Sequence, residues 1–230
     1  MLPRLSADRN EFGQSIGDRL PSGSPEIGIW SLLAGDAAIW QRAVSYLANR
    51  DNDIHTIYAY GLARALLDVT PEADPHIVLP AILLHDTGWS QIAMSDIMRA
   101  LAPGAREPDT IRRHEIEGAR IAREILDELE FPKDDIDEIV EIIDGHDTRL
   151  RSLSVNDSLV KDADKLWRIT PRGIDTVMDW FGLTREEAHR MCASRVHGYL
   201  FTDSARVMAR SLSAVAWVDT SPQRVSLDER

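Results

Sequence analysis

The fold of this chain is decided by the stretch IVLPAILLHDTGW at residues 77–89. Eight apolar residues, one of them a proline, come directly before an imidazole and a carboxylate, His85 and Asp86. An apolar run of this kind is typical of a segment that is buried on all sides. Buried polar groups cost free energy unless they are paired, and a buried carboxylate needs a cation or several hydrogen-bond donors. The pair therefore predicts partners elsewhere in the chain.

The composition is that of an ordinary globular protein. The 230 residues are 43% hydrophobic and 28% charged, and the chain is long enough to bury a core without disulfides. The net charge of −12 argues against bulk nucleic acid as a partner, since a phosphate backbone calls for a basic face. No apolar run approaches the roughly 20 residues of a membrane span, so no membrane partner is expected. A single cysteine and an N-terminus unlike a signal peptide predict a cytoplasmic protein.

The chain is predicted to contain one helical domain between two less ordered ends. Residues 1–26 are rich in proline, glycine, serine and charge and predict a loosely ordered N-terminal arm. Residues 27–216 predict a single domain, and residues 217–230 a C-terminal tail. Helical periodicity without a convincing alternating strand predicts an all-α fold. The predicted helices cover residues 28–49 (one helix or two), 51–68, 75–86, 92–101, 110–130, 134–145, 156 or 157 to 167, 174–181 and 184–215.

Four histidines and two aspartates are predicted to point inward from five of these segments. His114, for example, begins a stripe that continues through Gly118, Ile121 and Ile125 at helical steps. His55 is predicted to share a face with Tyr58. The complete set is His55, His85, Asp86, His114, His146 and Asp164.

Six such groups favour a metal centre over a set of ordinary core residues. A single buried histidine is more often a hydrogen-bonded core residue, but six polar groups from separate helices would be costly to bury together without a cation. Imidazole and carboxylate form a transition-metal donor set, and helical bundles build metal centres from facing helices. Cys192 lies outside the set, which disfavours structural zinc and favours Mn, Fe, Co, Ni or hydrolytic Zn.

The order of these residues resembles the HD-domain superfamily of metal-dependent phosphohydrolases. LPAILLHDTGW resembles the family's apolar helix ending in His-Asp, EIIDGHD its later Gly-His, and LVKDADKLWR its final Asp with a following Lys-Leu. The resemblance covers roughly residues 50–170 and implies an HD-domain helical bundle with a metal centre in its core. The minimal family set, which holds one metal, corresponds to His55, His85, Asp86 and Asp164. The additional His114 and His146 resemble members that hold two metals.

The resemblance also implies how the ligands divide. His55, His85 and Asp164 would bind one ion, and His114 and His146 the other, with Asp86 bridging them as a metal ligand and catalytic residue. The expected cofactors are two divalent transition-metal ions, among Fe, Mn, Co, Ni and Zn, with Fe or Mn preferred.

Three residues beside the ligands are further candidates. In the family, the lysine after the final aspartate often faces the substrate phosphate, so Lys165 is expected to bind substrate. Arg149, close after His146, is a second substrate-binding candidate, with a solvated surface charge as the alternative. Asp147 has three interpretations: it orients His146, it shuttles a proton as a catalytic residue, or it is a solvated aspartate.

The expected reaction is hydrolysis of a phosphate monoester or diester by a bridging hydroxide that the two metals activate. The expected partner is a small phosphorylated metabolite or nucleotide, and a homo-oligomer is an open alternative to a monomer. No P-loop or G-x-S-x-G elbow suggests another mechanism. The same six-ligand arrangement occurs in mixed-valent diiron oxygenases such as myo-inositol oxygenase and a phosphonate-degrading oxygenase, which are the alternative. A non-catalytic helical sensing module is the second alternative.

Overall fold

Helical periodicity in the sequence is matched by helices throughout the structure, a computed structural model that describes residues 9–15, 17, 20, 32–102, 104, 107–218 and 221. These residues contain α-helices and no named strand, which confirms the all-α class. None of the described helices is long and apolar enough to cross a bilayer. The helices are α1 Ala34–Ala43, α2 Asn52–Leu67, α3 Pro75–Leu84, α4 Met94–Leu101, α5 Pro108–Glu128, α6 Lys133–Ile143, α7 Val155–Leu166, α8 Pro171–Phe181, α9 Arg185–Val196 and α10 Asp203–Trp217.

The chain divides into two units, Met1–Leu32 and Leu33–Arg230. In the first unit, Arg9 and Ser15 form an isolated antiparallel bridge that closes a short turn. The second unit contains all the helices named above. Most of the predicted arm, residues 1–26, and of the predicted tail, residues 217–230, lies outside the described residues.

The apolar helix α3 forms the centre of the helical unit. All its residues from Ile77 to Leu84 are buried, and it packs against α1, α2, α6 and α7. Its start is well defined, because Asp74 Oδ1 accepts a hydrogen bond from the His76 backbone N–H at 2.8 Å and Pro75 occupies the first helical position. The predicted helix over residues 75–86 is confirmed with an end at Leu84; His85 still has helical dihedral angles, and Asp86 is the first residue to leave them.

Helix α2 buries a face slightly rotated from the predicted one. Tyr58, predicted to lie beside His55, is 41% exposed, and the buried face instead contains the small residues Ala59 and Ala63. These residues lie where α2 packs against α3 and α7, and small side chains permit that close approach. His55 is buried as predicted, but with different neighbours.

The predicted helix over residues 184–215 is wrong, because two helices, α9 and α10, occupy this region. The buried Asp162 on α7 accepts hydrogen bonds from the backbone N–H groups of Phe201 and Thr202, at 2.8 and 2.9 Å, and from the Thr202 hydroxyl. Thr202 in turn caps α10 by accepting from the Ala205 N–H. The break depends on a carboxylate about 40 residues away, which local periodicity does not reveal.

Two helix starts also differ from the prediction. Helix α7 is capped by Ser154, whose hydroxyl accepts from the Asp157 N–H, rather than by Asn156 or Asp157. Helix α8 begins at Pro171, three residues before the predicted start, because the Thr170 hydroxyl already caps it. In both cases a hydroxyl residue just upstream provides the cap.

Candidate metal centre

Six buried polar side chains meet between these helices. Each of them is at most 7% exposed. They are His55 on α2, His85 and Asp86 directly after α3, His114 on α5, His146 after α6 and Asp164 on α7. The structure thus brings together every residue that the sequence predicted as a metal ligand.

The end of α3 allows two adjacent residues to face the same centre. Successive residues of an α-helix point about 100° apart, so an unbroken helix would separate His85 from Asp86. The α-helix ends at Leu84, and Thr87–Gln91 form a 3-10 turn in which the Thr87 hydroxyl donates to the Leu84 carbonyl at 2.7 Å. The chain therefore unwinds at the His-Asp pair.

The end of α6 uses a glycine for the same purpose. Gly145 has a φ of +140°, a backbone conformation that side-chain-bearing residues rarely adopt. This conformation turns the chain immediately before His146, whose Nδ1 lies 2.9 Å from the Ile143 carbonyl oxygen. The imidazole is thereby held against the end of its own helix with Nε2 directed at the cluster.

The four imidazoles form two pairs through their Nε2 atoms. The Nε2 atoms of His55 and His85 are 3.0 Å apart, and those of His114 and His146 are 3.2 Å apart. Two ring nitrogens directed at one point suit a shared proton or a cation. The cluster therefore has two ends, each defined by one pair.

The carboxylate of Asp86 lies between the two pairs. Its Oδ2 is 3.3 Å from His55 Nε2, and its Oδ1 is 3.6–3.7 Å from the Nε2 atoms of His85, His114 and His146. Among the described residues, Asp86 alone has a carboxylate within 4 Å of both pairs. This is the position that a carboxylate bridging two ions would occupy.

Each pair also has a carboxylate of its own. Asp164 Oδ1 is 3.4 Å from His55 Nε2 and 3.6 Å from His85 Nε2. Asp147 Oδ2 is 3.7 Å from His114 Nε2 and 3.9 Å from His146 Nε2. Both sets of three offer ligand atoms within 4.8 Å of one another, close enough to hold an ion. The sequence left three interpretations of Asp147 open, namely orientation of His146, proton transfer and a solvated aspartate, and the structure places its Oδ2 within 4 Å of both imidazoles of this pair.

The donor set suits a divalent transition metal. His85 Nδ1 lies 2.8 Å from the Ile82 carbonyl oxygen, a contact that leaves Nε2 of the neutral ring free to coordinate. His55 Nδ1, His114 Nδ1 and Asp164 Oδ2 are buried without a hydrogen-bond partner. Imidazole nitrogens and carboxylate oxygens without a thiol match Fe, Mn, Co, Ni or catalytic Zn. The residues therefore fit such an ion.

Neighbouring charges set the pKa values of the cluster. Burial would raise the pKa of Asp86, but the imidazoles around it, His85 first, hold that pKa well below its usual range. Burial would lower the pKa of His146, but Asp86 and Asp147 outweigh it and raise the pKa to about 9. Burial and the charge of His146 lower the pKa of His114 to about 4. Without metal, the carboxylates are thus balanced by a protonated imidazole, whose proton a bound cation displaces.

A buried glutamate on α5 supports the second imidazole pair, His114 and His146. Glu115 is fully buried, and its Oε1 accepts hydrogen bonds from the backbone N–H groups of Asp147 and Thr148 at 2.9 and 2.7 Å. Its Oε2 accepts from the Thr148 hydroxyl at 2.6 Å and from Arg112 Nη1 at 3.0 Å. Glu115 thus ties the chain after His146 to the helix that bears His114.

Replacing Glu115 with glutamine is expected to destabilise the protein by about 3 kcal/mol, because hydrogen bonds to a buried charge are lost and an amide NH₂ is turned toward other donors. Metal affinity at the second pair is expected to fall about 10- to 100-fold, which is the typical loss when a residue that orients a metal ligand is removed. Urea unfolding and metal titration measure the two effects. Glu117→Gln on the same helix, where Glu117 pairs with Arg120 near the surface, is the matched control. Equal behaviour of the two variants would contradict the supporting role.

A cavity of about 60 Å³ opens beside the cluster. Asp86, Asp147 and Asp164 reach it, together with three arginines that sequence reasoning did not select. Arg168 lies four residues after Asp164 and therefore on the same helix face, so the spacing could have identified it from the sequence. Arg50 and Arg195 reach the cavity only through the tertiary fold and carry no local signal. The remaining walls are largely apolar and include Trp89, Trp167, Trp180 and Phe181.

The predicted substrate-binding residues lie at a neighbouring cavity. Lys165 and Arg149 line a space of about 170 Å³ that shares Asp147 with the first cavity. Lys165 Nζ donates to the Lys161 carbonyl at 3.4 Å. Arg149 Nη2 donates to the carbonyls of Glu141 and Ile142 at 2.8 and 3.2 Å. Both residues thus lie near Asp147, but neither of them lines the first cavity, which Asp86 and Asp164 reach.

The family model of the HD domain matches residues 52–169, just over half of the chain. The chain belongs to the HD-domain family. The match extends from α2 to the turn after α7 and includes all six residues of the cluster. No curated protein and no solved structure matches the chain.

Membership confirms the resemblance seen in the sequence. HD-domain proteins are mostly metal-dependent hydrolases, belong to a phosphohydrolase superfamily and bind divalent metals. In this HD domain, the residues able to hold such an ion are the histidines and aspartates of the cluster.

Proposed function

We propose that this HD-domain protein is a metal-dependent phosphohydrolase that cleaves a phosphate monoester or diester in a small phosphorylated substrate. The observation that carries the proposal is the position of Asp86. It lies between two imidazole pairs, each with its own further carboxylate, and it faces a cavity that also contains arginines. This arrangement combines ligands for two cations with positive charge for an anionic substrate.

In the proposal, the six predicted ligands would hold two divalent ions, with Asp86 shared between them. Ions held there would lower the pKa of a coordinated water and neutralise charge on the phosphoryl group. The protein's own contribution is to fix the imidazoles through the carbonyls of Ile82 and Ile143 and to direct the substrate with cationic side chains.

Water is the proposed nucleophile, because the proposal assigns the aspartates of the cavity to metal binding and proton transfer and the remaining candidate is a thiol. Among the described residues that line the cavity, Cys192 is the only one with a thiol or hydroxyl group. Burial raises the pKa of this thiol to about 11, so it is protonated at neutral pH and a weak nucleophile. A covalent intermediate on the protein is therefore not part of the proposal.

Asp147 is the proposed proton acceptor. Its side chain is 22% exposed, whereas those of Asp86 and Asp164 are 9% and 4% exposed, so Asp147 alone of the three can exchange protons readily with solvent. Burial raises its pKa and the charge of His146 lowers it, with a net pKa below the usual value. Asp147 is thus ionised at neutral pH and able to accept a proton. Lys165 and Arg149, in the adjoining cavity, are proposed as substrate-binding residues that contribute positive charge beside Asp147.

We further propose that the protein is cytoplasmic and that its partner is a small phosphorylated molecule rather than bulk nucleic acid or a membrane. The net charge of −12 supports this choice of partner. Light scattering at several protein concentrations would test the expected single domain for self-association.

The decisive experiment is reconstitution with defined metals. Protein stripped with a chelator is expected to release no phosphate, and to regain activity on phosphate esters with Mn²⁺ or Fe²⁺ at about two ions per chain. Phosphate release from a panel of monoesters and diesters and elemental analysis are the measurements. Oxygen consumption without phosphate release would instead identify a diiron oxygenase. A metal-loaded protein with neither activity would support the sensing module.

A further inference from the structure

Three guanidinium groups from separate parts of the chain line the cavity beside the cluster. Arg50 precedes α2, Arg168 lies in the turn after α7, and Arg195 lies on α9. The same cavity is lined by three carboxylates, those of Asp86, Asp147 and Asp164. Formal charges of arginines and aspartates therefore balance before any ion or substrate is added.

Arg50 is held in place without using its hydrogen-bond donors. Its guanidinium lies over the rings of Trp89 and Trp180, at 4.9 and 5.4 Å from their centroids. Within the described residues it makes no hydrogen bond and no ion pair, and its Nε is buried without a partner. Its backbone has a φ of +53°, and that of Asp51 is +56°, conformations that cost free energy in residues other than glycine. An arginine held rigidly with unused donors is suited to receive an anion.

Arg195 is a second cation without a carboxylate. Within the described part of the chain no carboxylate lies within 4 Å of it, and its one hydrogen bond runs from Nη1 to the Leu101 carbonyl at 3.4 Å. Arg168 differs, since its Nη2 is 3.9 Å from Asp164 Oδ2. Burial and then the charge of Arg168 lower the pKa of Arg195, so the two cations repel each other. An anion between them would relieve that repulsion.

Arg168 and Arg195 also line the outer opening of the site. A wider space of about 230 Å³, bounded by residues 100–102 and Ile111, shares these two arginines and Asp147 with the inner cavity. Arg50 lines only the inner cavity. The cationic side chains therefore extend from the cluster outward to Arg195.

The charge balance calls for a substrate with more than a phosphate. Two divalent ions would add about four positive charges, of which a hydroxide and a phosphate monoester compensate about three. About one positive charge is then left over, and Arg195 is a cavity arginine without a carboxylate within 4 Å among the described residues. One additional acidic group on the substrate would neutralise it.

Two of the aromatic walls, Trp89 and Trp180, are covered by other side chains and are poorly placed to stack on a nucleobase. The ring of Trp89 stacks on His114, with centroids 4.0 Å apart and planes at 7°, while Arg50 covers it as well. The ring of Trp180 is also covered by Arg50 and meets Trp167 edge-on. Base stacking needs a free ring face. The tryptophans position protein side chains instead.

We infer that the substrate is a compact, non-nucleotide phosphate monoester with a carboxylate, its phosphoryl group lying between the cluster and Arg50 and Arg168, and its carboxylate binding Arg195. A carboxylate matches the fork of the arginine side chain and can accept two parallel hydrogen bonds. This inference rests on the proposed phosphohydrolase function and narrows it to one substrate class.

The test compares two esters that differ in one group, 2-phosphoglycolate and ethyl phosphate, using the Mn²⁺-loaded protein. We expect kcat/KM to be at least about 10-fold higher for phosphoglycolate than for ethyl phosphate or adenosine monophosphate. In Arg195→Gln this preference is expected to fall to within about 3-fold, mainly through a higher KM for phosphoglycolate. Arg190→Gln on the same helix, where Arg190 is largely exposed and pairs with Glu186, is the control and is expected to keep the preference. No preference in the parent protein, or an unchanged preference in Arg195→Gln, would overturn the inference.

A binding measurement separates this inference from the proposed function. Calorimetry with phosphonoacetate and ethylphosphonate, which contain no ester to hydrolyse, is expected to show tighter binding of phosphonoacetate that depends on Arg195. If neither ester is hydrolysed but this dependence is found, the phosphohydrolase proposal fails, and the inferred binding site for a phosphoryl group and a carboxylate stands. If both esters are hydrolysed equally and the two phosphonates bind equally, the function stands and the substrate class is wrong. Thermal unfolding of Arg195→Gln within about 2 °C of the parent confirms that the comparison is between folded proteins.

Discussion

Replacing Asp86 with alanine is expected to remove both of the proposed ions and to reduce the proposed phosphate release to background. Asp86 is the described carboxylate that lies within 4 Å of both imidazole pairs, so its removal takes an anionic ligand from both ends at once. Since loss of a group that merely supports a ligand costs about 10- to 100-fold in affinity, loss of a shared ligand is expected to cost at least about 1,000-fold. Elemental analysis after dialysis in buffered metal measures the ions bound per chain.

Two further variants make the Asp86 experiment specific. Asp86→Asn keeps the size of the side chain and one carbonyl oxygen but lacks the charge to hold two cations, so we expect at most one ion to remain. Asp137→Asn alters an exposed aspartate that pairs with Arg123 and is expected to retain the full metal content. Thermal unfolding in a chelator shows whether the metal-free variants are folded. Full occupancy in folded Asp86→Ala would show that this carboxylate does not bridge the ions.

Replacing Gly88 with alanine is expected to destabilise the protein by about 3 kcal/mol or more. A Cβ at this position would lie 1.9 Å from the His114 carbonyl oxygen and 2.5 Å from the Gly118 backbone nitrogen. Both atoms belong to the backbone of α5, so no side-chain rotation relieves the contact. The turn after α3 must move away from α5, which separates His85 and Asp86 from His114. Urea unfolding measures the stability, and metal titration measures the accompanying loss at the second pair.

The matched control for Gly88 is Gly61→Ala. Gly61 lies within α2, and a Cβ there would meet nothing within 4 Å. Alanine in the interior of a helix is favoured over glycine by about 1 kcal/mol, so this variant is expected to be as stable as the parent or more stable. If Gly88→Ala were equally well tolerated, the close crossing of the turn and α5 would not be the feature that holds the two halves of the cluster together.

The helices and the ligand set were accessible from the sequence for definable reasons. The run from Ile77 to Leu84 is apolar on every side, and a helix of that kind is buried in the core. His114 continues an apolar stripe on its own helix, so its direction follows from the 3.6-residue period. Local reasoning of this kind does not reveal that Gly88 permits the turn after α3 to touch α5.

Other features depended on residues far apart in the chain. The division of the last predicted helix into α9 and α10 comes from hydrogen bonds to the buried Asp162 on α7. The arginines of the cavity come from three separate elements, and two of them carry no motif. Asp147 was recognised as a neighbour of His146, but its equal approach to His114 became visible only in three dimensions. In each case the partner is set by packing between helices rather than by local spacing.

Periodicity, capping residues and the pairing of histidine with aspartate at the end of an apolar helix were enough to predict the helical class and the six inward-facing residues, and the order of those residues resembled the HD-domain family. Periodicity and capping are local properties, since each follows from residues on one helix. The approach of the Nε2 atoms to about 3 Å, the central place of Asp86 and the presence of Arg50 and Arg195 beside it were decided by the tertiary structure. They require helices far apart in the chain to meet at fixed distances, and the physical cause is close packing between helices: α2, α5, α6 and α7 pack against α3, whereas α9 packs against α8 and the turn after α7.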